Sequence, residues 1–149
     1  MKIVVDTNIV FSAMLNSNSR IAQILITSKT HFQFYSCNFL KIELTRHQKK
    51  LQKLTKLSVD ELEELQQLVT QNITFIHEAL LPEKTIISSE KLLKEIDVND
   101  TLFVALAKNL KAKLWTGDKE LITGLKIKKF KDIVTTEELL ELYDSLEKQ

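Results

Sequence analysis

The chain of 149 residues contains one cysteine, one proline and two glycines. The lone Cys37 excludes an internal disulfide. So little glycine and proline, beside 44% hydrophobic and 28% charged residues, excludes a disordered or fibrous chain and predicts a helix-rich globular one. An excess of either charge is missing too: 21 Lys and Arg against 20 Asp and Glu leave +1, so any site for a polyanion has to be a local patch. No apolar run approaches the roughly 20 residues of a membrane helix. The start, Met1-Lys2-Ile3-Val4-Val5-Asp6, lacks the longer apolar region of a secretion signal. The expectation is a cytoplasmic protein with no membrane span, folded as a single domain over 1–149 and able to bury its core without disulfides or a structural metal.

Five compact stretches, apolar or β-branched, read as strands: 2–5, 32–36, 73–77, 113–116 and 131–134. Each is followed by a helix-like segment. That alternation predicts an α/β fold with a parallel sheet of about five strands, covered on both faces. Leu40, Leu44, His47, Leu51 and Leu54 recur at four and three residues, which predicts one amphipathic helix starting near Asn38. Ser58 with Glu61 and Thr135 with Glu138 are capping-box pairs placed ahead of leucine stripes. Residues 101–107 are apolar nearly all round, so their helix should lie buried against the sheet.

In an open parallel sheet, ligands collect beyond the carboxyl ends of the strands. Asp6 ends the first predicted strand and Asp118 follows the fourth, while Asp100 opens the buried helix between them and Glu43 sits early in the helix after the second strand. Four separate segments thus offer a carboxylate to one edge. Like charges brought together resist joint ionisation, and a divalent cation resolves the conflict. Mg²⁺ and Mn²⁺ prefer oxygen donors and keep several waters, so a few carboxylates suffice. Such an ion activates water and neutralises charge on a phosphate, which points to phosphodiester hydrolysis. Asp97 lies three residues before Asp100, about 60° away on a helix, and either shares the pocket or serves as a capping group. Asn8 and Thr116 are supporting candidates, able to position water or a carboxylate.

Asp6-Thr7-Asn8, Glu43-Leu44, Asp97-x-x-Asp100 before Leu102-Phe103-Val104-Ala105-Leu106-Ala107, and Trp115-Thr116-Gly117-Asp118-Lys119 together resemble the PIN-domain nucleases. Each motif is weak alone; the four in order, over nearly the whole chain, are specific. The resemblance implies a three-layer α/β/α sandwich, an acidic pocket for Mg²⁺ or Mn²⁺, and endonucleolytic cleavage of RNA. Carried over residue by residue, Asp6, Glu43, Asp100 and Asp118 are the acids, with Asp97 a fifth. The resemblance also implies the role of a VapC-like toxin with an antitoxin partner, and pairing as a homodimer.

Plainer roles exist for each residue. Asp6, Asp100 and Asp118 could cap helices, and Glu43 could pair with Arg46 or His47 on a solvated face. His31, His47 and His77 lack ligand spacing and read as surface or half-buried residues. Cys37 reads as packing. Trp115 is strand core or a stacking surface for a base. Lys49, Lys50, Lys53 and Lys56, and Lys126, Lys128, Lys129 and Lys131, read as solvated faces that could flank a phosphate path. The leucine stripe of 137–148 docks on its own sheet, with a partner-binding role second. Haloacid-dehalogenase-like phosphatases need Asp-x-Asp where this chain has Asp6-Thr7-Asn8, and a receiver domain needs paired acids after the first strand. The remaining alternative is a non-catalytic α/β RNA-binding or protein-interaction module that keeps a Mg²⁺-binding acidic pocket.

Overall fold

The computed structural model describes residues 1–149. Strands β1 (Lys2–Val5), β2 (Gln33–Cys37), β3 (Ile73–Ile76), β4 (Lys113–Trp115) and β5 (Ile133–Val134) form one sheet in the order β3-β2-β1-β4-β5. Every pairing is parallel, as the alternation of strands and helices requires. Ile3, Val4 and Val5 of the central strand are wholly buried, so both faces of the sheet are covered. The expected fifth strand shortens to two residues because Lys131 and Asp132 are exposed at the sheet's edge.

One layer consists of α6 (Glu83–Leu93), α7 (Thr101–Leu110) and α8 (Lys119–Ile127). Of these, α7 lies across β1, β2 and β4 and packs on α6. Its run from Phe103 to Ala107 is buried throughout, the all-round burial that its composition predicts. The opposite layer holds α1 (Thr7–Leu15), α2 (Arg20–Thr27), α5 (Val59–Thr70) and α9 (Thr136–Glu147), with α1, α2 and α5 packed on one another. Capping boxes open α5 at Ser58 and α9 at Thr135, each with both reciprocal hydrogen bonds made. Helix α9 packs on α2, tied by Arg20 to Asp144 and His31 to Glu147, and meets the sheet at β4, where Thr136 accepts from the Trp115 indole while Leu139 is wholly buried in the core.

The helix expected from Asn38 onward is in fact two: α3 (Phe39–Arg46) and α4 (Gln48–Thr55). His47 breaks the pair, with φ −100° and ψ 12°, and its N–H is shared between the carbonyls of Glu43 and Leu44. A straight helix over both would run about 25 Å and overshoot the core. The bend instead turns α4 onto α1 and α5. Leu40, Leu44 and Leu51 stay buried, whereas Leu54, in the last turn before the left-handed Lys56, is 55% exposed.

Strand order reverses between β1, which continues into β2 on one side, and β4 on the other. A crevice at the carboxyl ends of those two strands follows from the topology.

Candidate functional site

The crevice is a cleft of about 230 Å³ whose lining is almost entirely polar. Asp6, Glu43, Asp97, Asp100 and Asp118 all face it. Asp6 enters directly from β1 and caps α1 by accepting the Ile9 N–H at 3.0 Å. Asp118 follows β4 and caps α8, accepting from the N–H groups of Glu120 and Leu121 at 3.0 and 3.2 Å. Asp97 caps a short 3-10 turn, Val98–Asp100, through the N–H of Asn99 at 2.9 Å. It therefore does not share an α-helix with Asp100; the two carboxylates bracket a tight turn. In all three caps the acceptor is Oδ1, which leaves Oδ2 of Asp97 and Asp118 outside the cap. Asp100 stands at the head of α7 and makes no capping hydrogen bond.

Capping and convergence thus coexist. Asp97, Asp100 and Asp118 bring one oxygen each within 4.8 Å of one another, close enough for a shared cation. Asp6 lies outside that trio but is charge-coupled to Asp118 and Glu43. Glu43, in the second turn of α3, accepts a short hydrogen bond from the Thr7 hydroxyl of α1. It pairs with neither Arg46 nor His47, since the ion pairs of the molecule are Arg20 with Asp144 and His31 with Glu147.

The PIN domain pattern matches residues 4–141. The chain belongs to the PIN-domain family. Its fold is similar to the crystal structure of VapBC2 from Rickettsia felis bound to a DNA fragment from their promoter, with a TM-score of 0.67 and 16% identity. The match covers 91% of this chain and 97% of that one, and at that identity it shows the fold. No curated protein matches in sequence.

Burial sets the electrostatics of this PIN domain. Asp6 is 3% exposed, and desolvation pushes its carboxyl from 3.8 up to about 6 against the downward pull of hydrogen bonds from Thr116 and the Ile9 N–H. Asp100 rises to about 7, again through desolvation first and then through the charges of Asp6, Asp97, Asp118 and Glu43. Thr116 is wholly buried beneath the cleft, where its hydroxyl serves Asp6 and accepts the Asp118 N–H at 3.2 Å. The register that places Val5 beside Trp115 makes Asp6 and Thr116 neighbours. Asn8 is exposed on the cleft wall.

Beside the five acids and Asn8, the lining holds Thr7, Phe11, His47, Lys50, Asn99 and Phe103; from the sequence, His47 reads only as a surface partner of Glu43 and Lys50 only as part of a lysine face. A signal for two of them was present. Glu43, His47 and Lys50 recur at four and three residues, a polar stripe beside the leucines of the same segment. Trp115 is fully buried and donates to Thr136 Oγ1 at 3.0 Å, so it is core and no base stacks on it. Lys126 and Lys128 lie at the far end of α8 from Asp118, about 13 Å along its axis, away from the cleft. His77 caps the turn Glu78–Leu80, and His31 packs between Phe32 and Tyr143. Cys37 is packed at the end of β2, its thiol pushed up to about 12 by burial and then by Glu78.

Proposed function

We propose that this PIN domain is a metal-dependent endoribonuclease hydrolysing phosphodiester bonds in RNA, acting as the toxin of a toxin–antitoxin pair. The observation that carries the reading is the convergence of five carboxylates, from four separate segments, on one cleft at the β1/β4 switch point. The donor set fits Mg²⁺ or Mn²⁺: all oxygen, three groups within 4.8 Å, and two carboxyls whose burial is costly without a countercharge. In this reading Asp97, Asp100 and Asp118 hold the ion, and Asp6 assists directly or through water. The ion supplies Lewis acidity, which acidifies a bound water and offsets charge on the scissile phosphate.

The other groups act through placement. Glu43, fixed by the Thr7 hydroxyl, orients the attacking water or takes its proton. Asn8 reaches the substrate from the exposed wall. Thr116 keeps the Asp6 carboxylate turned toward the cleft. PIN domains are in general metal-dependent nucleases, and the similar solved structure is an assembly named VapBC2, which supports an antitoxin as partner. A homodimer, common in the family, belongs to the same reading. No helix is long and apolar enough to cross a membrane.

Asp6→Asn is the decisive variant. Asparagine keeps an oxygen to cap the Ile9 N–H and removes the buried charge, so the protein should fold. Purified protein is incubated with end-labelled single-stranded RNA in Mn²⁺, Mg²⁺ or chelator, with Asp6→Asn beside it. Cleavage should need the ion and fall by at least the roughly 100-fold that a lost supporting contact can cost. Full activity in Asp6→Asn overturns the assignment, and ion binding without turnover favours a binding module.

A further inference from the structure

The cleft has two unlike walls. Beside the Thr7–Glu43 pair the lining continues with Phe11 of α1 and, past the α3/α4 break, with His47 and Lys50. Phe11 lies one turn beyond Thr7 on α1, so it shares the helix face that holds Glu43. The His47 ring meets Phe11 edge-on, with centroids 6.2 Å apart and planes at 83°. The Lys50 Nζ lies over the Phe11 ring, 5.6 Å from its centre. Lys50 is the one lysine or arginine of the lining, yet it makes no ion pair although five carboxylates share its cleft. Nearby, Arg46 sits over Phe39 at 5.8 Å, and the Phe39 ring lies 6.3 Å from Phe103, which lines the cleft as well.

An unpaired ammonium beside acids is kept out of their reach by position, and an exposed one is free to meet an anion that enters the cleft. An aromatic ring at the same mouth offers what an unstacked base requires, a flat apolar surface. We propose that Phe11, His47 and Lys50 form a nucleotide subsite beside the acidic cluster, taking one base of single-stranded RNA on Phe11 and the adjoining phosphate on Lys50. The inference rests on the nuclease reading for the identity of the polymer, and it adds which wall holds the strand. Lys50 gives up its place over the ring when the base arrives and turns to the phosphate, while His47 buttresses the ring edge. The bend at His47 is what brings α4, and Lys50 with it, around the mouth. Duplex RNA cannot use such a subsite, because its bases are already stacked.

The test is binding without turnover. Fluorescence anisotropy follows a short end-labelled single-stranded RNA against the full chain, once in EDTA and once in Ca²⁺, over a series of salt concentrations. Phe11→Leu keeps apolar bulk but loses the ring face, and should weaken binding at least about fivefold with the salt slope unchanged. Lys50→Ala should weaken it and lower the slope of log affinity against log salt by about 0.7, the value of one phosphate contact on a single strand, while Lys50→Arg restores both. Lys29→Ala, exposed ahead of β2 at the opposite edge of the sheet, should change nothing. Unchanged affinity in Phe11→Leu and Lys50→Ala, equal competition by duplex RNA, or no binding by the unaltered protein in either condition overturns the subsite. RNA that binds through these residues but is never cut keeps the subsite and sinks the nuclease reading. Cleavage that depends on Asp6, with affinity indifferent to Phe11 and Lys50, does the reverse.

Discussion

A carboxylate has two oxygens, and at Asp97 and Asp118 the structure uses one of them to cap a turn or helix and leaves the other, while Asp6 takes both the Ile9 N–H and the Thr116 hydroxyl. The helix dipole and the cap N–H groups lower the cost of holding a negative charge in place. They do not cancel the burial of Asp6 and Asp100, whose carboxyls remain raised to about 6 and about 7. Without a metal, the folded protein binds protons at these two groups more tightly than the unfolded chain does. Their stabilising contribution is therefore full below the ordinary carboxylate value of 3.8 and is lost as pH rises through the folded values. At about 1.4 kcal/mol per pKa unit, Asp6 accounts for on the order of 3 kcal/mol of that loss. Thermal unfolding in EDTA should show Tm falling from about pH 4 to about pH 7, and Mn²⁺ should remove the fall because the ion replaces the proton. A flat Tm in EDTA contradicts the coupling.

Elements carry these residues to the cleft, and the caps decide how firmly. Asn38 opens α3 without a side-chain cap; the Phe39 N–H is taken by Glu78, which arrives from the turn after β3. That one acceptor ties α3, and thus Glu43, to the strand edge beside it. Glu78→Ala should lower stability by about 1 kcal/mol in urea unfolding, as loss of a cap does, whereas Glu78→Gln keeps an acceptor and most of the stability. Ser58→Ala should cost about the same by opening the capping box of α5, with no effect on the cleft. The two capping boxes were legible in the sequence because Ser58 with Glu61, and Thr135 with Glu138, each act within one helical turn. The break at His47 was not. A single leucine stripe fits a straight or a bent helix equally well, and only the positions of α1 and α5 select the bend.

At the scale of the whole molecule, the cleft exists because β1 and β4 are adjacent in a sheet although more than a hundred residues separate them in the chain. An ion held, as proposed, by Asp97, Asp100 and Asp118 would join the strand end of β4 to the turn ahead of α7 and would bind only the folded chain. Binding should raise stability by about 2.7 kcal/mol at a hundred times the dissociation constant. Tm measured against Mn²⁺ concentration checks this, and Asp100→Asn should abolish the rise while folding normally, because its side chain makes no cap.

From the sequence alone came the parallel α/β architecture, the buried helix over 101–107 and the five acids that meet at the cleft, with Asn8 on its wall and Thr116 beneath it. Those follow from periodicity, from capping pairs and from residue order along the strands, all of them local along the chain. Tertiary structure decided the rest: that caps and cluster are made by the same carboxylates, that Thr7 fixes Glu43, that Asp97 brackets a turn, and that Phe11 meets His47 and Lys50 beside the cluster. Each of these is a meeting of side chains from different elements. A sequence records which residues lie along each element, but the distance between elements is set only when the sheet and its two helical layers pack.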